Sequence, residues 1–334
     1  MKKIFTMMLA AAAMASCSTS EVEFDNPKEI GFTAVANNIS RAVVDGAVYP
    51  TSLDMYVYAW TADNEAADAN YIINGKFKNK ESNVWGGETP YYWPNVKTLH
   101  FAGYSASGNV SSATVAYNCT DNQLSITGYA PGTSTEAGAN DLMYFPSTKA
   151  TKAAGYDKET TSVPVNMYHT CSWITFKVKG DAVTGADGST YQVKGLQITG
   201  IDQTANVTCG ALNNDVPSIT WSENTTQTET YPVTLNPSLG KLTTTATNVE
   251  AGNNIVLIPQ TPGSLTLTYA YTSPAGKTIT ETKENIALKL DDANSNWEPG
   301  KHYTYTITIK ANEILIAPSA VDWTDQNDKD ITVE

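Results

Sequence analysis

Strand periodicity runs through nearly the whole chain, and helical periodicity is almost absent. The stretch 302–310, HYTYTITIK, places Tyr303, Tyr305, Ile307 and Ile309 on one face and threonines on the other. The stretch 263–271, GSLTLTYAY, alternates Leu265, Leu267 and Tyr269 in the same way. SWITFKVKG (172–180) sets Ile174, Phe176 and Val178 against Trp173, Thr175 and Lys177. LDMYVYAWT and NIVLIPQ read as strands buried on both faces. Turn sequences punctuate these runs at short intervals: YAPGT, GADGST, SPAGK and WEPGK. Many short strands rich in Thr, Tyr and Val predict an all-β chain built from two Ig-like antiparallel β-sandwich domains. Helix is expected only in short pieces, near residues 62–70.

A chain of 334 residues can hold two such cores. The polar stretch 155–165, GYDKETTSVPV, follows a Gly/Ser/Thr-rich segment and carries Pro164. It predicts a junction there, with an N-terminal domain over 42–163 and a C-terminal domain over 164–334. The two halves show no clean sequence repeat.

The N-terminus reads as a targeting segment. Residues 1–16 have Lys2 and Lys3, then an apolar run too short to span a membrane, then small residues before Cys17. The ending MASC resembles a bacterial lipobox, which predicts lipidation of Cys17 and an outer-membrane anchor. Glu21, Glu23 and Asp25 follow closely, resembling a surface-export signal of Bacteroidetes lipoproteins. Removal of residues 1–16 takes away two lysines from a chain whose net charge is already −13. So acidic a protein lacks the clustered cations that nonspecific nucleic-acid binding needs, and no nucleic-acid partner is expected.

Arg41 is the only arginine; the remaining cations are lysines. It lies in NNISRAVVDG, a polar, Gly-containing gap between two strand-like runs. A lone arginine there predicts one cut by an arginine-specific protease, between Arg41 and Ala42. That leaves residues 17–41 as a lipidated leader.

Residues that carry chemistry are scarce. His100, His169 and His302 each sit in an aromatic strand, where packing roles are the expected ones. HExxH, P-loop and GxGxxG patterns are absent from the sequence. GYSASG (103–108) misses the spacing of a nucleophile elbow by one residue and reads as a hairpin loop. DDANSN (291–296) alternates oxygen ligands, but Trp297 and Tyr303 stand where a calcium loop needs Gly and Glu. Cys119, Cys171 and Cys209 form no CxxC and no Cys/His spacing that would suit zinc. With 18 Tyr and 7 Trp the chain could line a glycan platform, although sandwich cores use the same residues. The expectation is a protein that is not an enzyme and carries no cofactor.

One family ties these features together. The stretch 296–325, NWEPGKHYTYTITIKANEILIAPSAVDWTD, resembles the fimbrillins, pilin-like surface proteins of Bacteroidetes that form type V pili. The likeness rests on an aromatic-x-Pro-Gly turn (Trp297, Pro299, Gly300), a Tyr/Ile strand (Tyr303, Tyr305, Ile307) and a following strand ending in Trp323. IGFTAVANNISRA, MYVYAW, YYWPNVKTLHFAGYSA, DLMYF and MYHTCSWITFKVKG resemble the successive earlier strands of that family, so the likeness covers most of residues 17–334.

The resemblance implies two transthyretin-like sandwiches and a precursor exported as a lipoprotein and then cut after an arginine. In that reading the first strand, with Ile30, Phe32 and Ala34 alternating, sits at a sheet edge and is displaced after the cut. A strand from the next subunit fills the groove and the contact repeats into a filament. The donor would come from the C-terminal region, where EILIAPSAVDW and DITVE are strand-like. Only a short stretch follows Trp323, which leaves shaft, tip, accessory and anchor roles open. The expected partners are other pilin subunits, an arginine-specific protease, the outer membrane through the lipid, and a host or bacterial surface ligand. The alternative is a glycan-binding surface lipoprotein that never polymerises.

Overall fold

A computed structural model describes residues 28–37, 47–61, 72–81, 83–93, 98–107, 110–131, 141–151, 162–181, 187–222, 228–251, 255–290, 296–310 and 314–322. The expected short helix at 62–70 lies outside them. The architecture is all-β. In chain order the strands of the first half are β1 (Gly31–Asn37), β2 (Ala47–Val48), β3 (Met55–Thr61), β4 (Ile73–Glu81), β5 (Val84–Gly87), β6 (Thr98–Ser105), β7 (Thr114–Asn118), β8 (Gln123–Tyr129), β9 (Met143–Thr151) and β10 (Val163–His169). Those of the second half are β11 (Ser172–Gly180), β12 (Thr190–Ile201), β13 (Ala205–Asn213), β14 (Val216–Trp221), β15 (Glu229–Pro232), β16 (Thr247–Asn248), β17 (Ile255–Leu257), β18 (Ser264–Thr272), β19 (Thr278–Ala287), β20 (Lys301–Ile309) and β21 (Ile314–Asp322).

The first sheet runs β10-β9-β6-β3-β4-β5-β1-β2, and β1 also pairs with β10. The ladder from β10 round to β1 therefore closes on itself. A closed ring removes free edges and seals its interior from water. The alternating apolar residues point inward: Phe32, Met55, Val57, Phe77, Trp85, Phe101, Phe145 and Met167 are all fully buried. The GYSASG expectation changes here, because Gly103, Tyr104 and Ser105 belong to β6 rather than to a hairpin loop. A Cβ on Gly103 would overlap the Tyr56 carbonyl oxygen and the Phe145 ring, so the strand pair closes only with glycine there.

In the second half a sheet β16-β11-β20-β21, with β17 also on β11, faces a sheet β15-β12-β18-β19. The pairs read from periodicity lie where that reading puts them: Ile174, Phe176, Val178, Tyr303, Tyr305, Ile307, Leu265 and Leu267 fill one shared core. Trp297 of the WEPG turn joins it and donates its indole N–H to the Tyr305 hydroxyl at 2.9 Å. Gly300 completes that turn at φ 66°, a left-handed conformation suited to glycine.

The remaining sheet, β14-β13-β8-β7, takes two strands from each half. β8 and β13 pair from Tyr129↔Ala205 to Leu124↔Cys209. Its inner face packs on the outer face of the ring, where Tyr58, Trp60, Tyr104 and Tyr144 are buried with Leu124, Ile126, Val207 and Cys209. The expected junction at 163/164 falls at the start of β10, which pairs with β1 and β9. The first sheet therefore continues to His169, and the chain passes into β11 within three residues.

Candidate functional site

β1 is the element on which the sequence reading converges, and its setting is unusually complete. Ile30, Phe32, Ala34 and Ala36 are at most 4% exposed, whereas Val35, on the other face, is 36% exposed. On one side β1 runs parallel to β10 over six pairs, from Phe32↔Val163 to Asn37↔Tyr168. On the other it is antiparallel to β5 (Gly31↔Gly86, Phe32↔Trp85, Thr33↔Val84) and then to β2 (Val35↔Val48, Ala36↔Ala47). The N-terminal end of the segment is tied down as well. The Ile30 N–H donates to the Tyr91 carbonyl at 2.7 Å, and the Trp93 N–H to the Lys28 carbonyl at 3.0 Å.

This differs from the edge position expected of the strand. The alternation of Ile30, Phe32 and Ala34 gives the buried face correctly, but pairing partners on the two flanks are set by distant segments. β1 is the strand that completes the ring.

Its anchor is Phe32. That ring packs edge-on against Phe77 at 5.1 Å and Phe101 at 5.2 Å, with Phe145 at 6.1 Å. Size then falls along the strand, from Ile30 and Phe32 to Ala34 and Ala36. Tyr49, whose N–H meets the Ala34 carbonyl, and Trp85, opposite Phe32 in the ladder, have rings that meet at 5.2 Å. Trp85 donates its indole N–H to the Leu53 carbonyl, and Tyr49 its hydroxyl to the Asp54 carbonyl, both at 2.9 Å. Burial, with Asp54 and Asp141 nearby, pushes the Tyr49 hydroxyl far above its usual range, so it stays protonated. β1 is thus held by main-chain pairing on both flanks and by a buried face whose side chains grade from large to small.

Full burial of a side chain such as Phe32 contributes roughly 1.5–3 kcal/mol, and each ladder hydrogen bond about 0.5–1.5 kcal/mol net. Summed over β1 these terms stabilise its place in the ring.

Cys17, Arg41 and Ala42 lie outside the described residues. Of the two donor candidates, EILIAPSAVDW contains β21, which pairs along its whole length with β20 and has no partner on its other side among the described strands. DITVE lies outside the described residues. The wall formed by β10 was missed in the sequence. SVPVNMYH alternates Val163, Val165 and Met167, a strand signal that Pro164 and the polar residues before it disguised as a linker.

The histidines have structural partners. His169 pairs with the carboxylate of Asp141; their side chains are 8% and 2% exposed. Burial raises Asp141 while His169 partly offsets it. His302 stacks on Trp173 at 3.8 Å and shares a 2.9 Å hydrogen bond with the Thr175 hydroxyl. Glu250 plugs a gap in the ladder of β11. Its carboxylate accepts the Phe176 N–H at 3.2 Å between the pairings of β16 and β17, and burial pushes it up to about 7.

Among known proteins, the model of the family described as fimbrillin-like matches residues 40–323. A solved fimbrial protein of Bacteroides vulgatus superposes with a TM-score of 0.59 at 17% identity, covering 89% of this chain and 100% of that one. A proposed cell adhesion protein of Bacteroides uniformis gives 0.48 at 16% identity, covering 90% and 99%. Another from Bacteroides ovatus gives 0.49 at 14% identity, covering 90% and 99%. No curated protein matches the chain.

Proposed function

Because this chain belongs to the fimbrillin-like family, we propose that it is a structural, non-enzymatic subunit of a cell-surface fimbria, joined to its neighbours by strand exchange at β1. The precursor is lipidated on Cys17 and held at the outer membrane. An arginine-specific protease cuts between Arg41 and Ala42. The leader then carries β1 as a strand no longer continuous with the rest of the ring. A strand from the C-terminal region of another subunit displaces it, pairs with β10 and β5, and fills the pockets of Ile30, Phe32 and Ala34. Repetition of this head-to-tail contact builds a filament. The subunit serves as shaft, tip or accessory component and contributes to adhesion.

The observation that carries this reading is the pairing of β1 on both sides together with its graded buried face. Its loss would leave a slot shaped for a strand and for little else. A glycan-binding lipoprotein is less well supported. Trp60, Trp85, Trp93, Trp221 and Trp297 are buried, and Tyr92, at 50% exposure, is the main exposed aromatic among the described residues.

The test is assembly in vitro. Lipid-free protein treated with an arginine-specific protease should form filaments visible by negative-stain microscopy, and Arg41→Lys protein should not. Filaments formed equally by both proteins, or a cut wild type that binds no C-terminal peptide from residues 313–334, would contradict the reading.

A further inference from the structure

The sheet β14-β13-β8-β7 differs from the other three in one respect: none of its strands contains Lys, Arg, Asp, Glu or His. The first sheet carries Lys76, Lys78 and Lys80 on β4. The sheets of the second half carry Lys177 and Lys179 on β11, and Glu281, Lys283 and Glu284 on β19. The inner face of the charge-free sheet is accounted for by its packing on the ring. Its outer face is not.

Across the middle of that outer face runs a row set by the pairings Ala116↔Ser125, Ser125↔Thr208 and Thr208↔Thr220. Ala116 and Thr220 are exposed, and Ser125 and Thr208 are half-buried. The rows on either side add Thr, Asn, Gln, Ser and Gly. Such hydroxyls and amides both donate and accept hydrogen bonds, so the face is complementary to itself. Among the described residues, the exposed acids beside it lie in the hairpin turns, at Asp121 and Asp215, and the register puts both turns at the same end of the sheet.

A chain of net charge −13 repels its own copies over most of its surface. A charge-free, self-complementary sheet face is where two copies can meet without that penalty. An antiparallel two-fold contact would also keep the acidic turns of the two copies at opposite ends. We propose that this face is a lateral contact between copies of this chain in neighbouring filaments. Four strands about 4.8 Å apart, each offering about five residues at 3.4 Å, span only about 300 Å². A stable pair needs about 800 Å² per partner. One contact is therefore too weak to make a dimer in solution, and the face acts only when many copies are arrayed. The biological setting rests on the fimbrial reading above, but the contact itself does not require strand exchange.

The test uses beads coated with the full mature chain carrying Arg41→Lys, so that strand exchange cannot contribute. Free protein should remain monomeric in analytical ultracentrifugation, while coated beads cluster and stay clustered as salt is raised. Thr208→Asp and, separately, Thr220→Asp should each cut clustering at least tenfold with unchanged circular dichroism. Thr244→Asp, which adds the same charge in an exposed turn, should leave clustering intact. Beads that never cluster, or that cluster equally with all three variants, would overturn the proposal. Clustering that appears only when a neutral polysaccharide such as dextran is added would also overturn it and assign the face to a glycan.

Discussion

Phe32 of β1 stands opposite Val163 of β10 in a parallel pair, and this register closes the first sheet into a ring. Parallel neighbours need a long crossover, and here the connection is nearly the whole first half of the chain. The first strand and the last strand of the ring thus hold each other in place. Loss of β1 would expose an edge of β10 on one side and of β5 on the other, in one step.

Phe32→Ala should destabilise the uncut protein by about 3–5 kcal/mol, because its ring fills a space bounded by Phe77, Phe101 and Phe145. Denaturant unfolding would measure the loss. In protein cut after Arg41 the same change should speed escape of the leader. A loss below about 1 kcal/mol would mean that the pocket does not hold the strand.

Unfolding should be a single transition, even though separate cores can be distinguished, because the sheet joining β8 to β13 draws on both halves. A fragment of residues 164–334 would lack β7 and β8 and expose Val207, Cys209 and Trp221. Differential scanning calorimetry with one peak, and an aggregated or unfolded fragment, are the expected outcomes. Two resolved peaks and a stable fragment would show that the halves fold independently.

Glu250 should give stability a pH dependence with a definite sign. Its pKa is about 7 when folded and 4.5 in the unfolded chain, so its contribution is fully present below pH 4.5 and lost as pH rises through 7. The loss is on the order of 3 kcal/mol. Asp141, raised by burial too, acts in the same direction, so the wild type alone does not isolate Glu250. Glu250→Gln keeps an acceptor for the Phe176 N–H and cannot ionise. It should be the more stable protein at pH 8 and nearly equal to wild type at pH 4. Parallel stability curves for the two proteins across that range would show that Glu250 is not the titrating group.

Gly103→Ala should be strongly destabilising, since the added methyl meets backbone at Tyr56 and the Phe145 ring at once. A melting temperature unchanged from wild type would indicate that β3, β6 and β9 are spaced more loosely than the ring requires.

Local pattern carried much of this fold and little of its topology. Alternation in SWITFKVKG, GSLTLTYAY and HYTYTITIK identified strands and buried faces, because burial on one side leaves a period of two in the sequence. Thr175 escaped that logic: it lies on the face opposite Phe176 yet is buried, since its hydroxyl meets His302 from a strand far along the chain. The ring escaped it too. Nothing near Gly31–Asn37 encodes a partner at Val163–His169, and Pro164 made that partner look like a linker. The sheet shared by β8 and β13 is non-local in the same sense. For the candidate site, Ile30, Phe32 and Ala34 were legible as a buried face, but not as a strand paired on both sides.

The most direct measurement is the N-terminal sequence of subunits isolated from native filaments, read together with that of the membrane-held precursor. Strand exchange at β1 predicts filament subunits that begin at Ala42 and a precursor that begins at lipidated Cys17. Filaments whose subunits still begin at Cys17, with β1 retained, would contradict it.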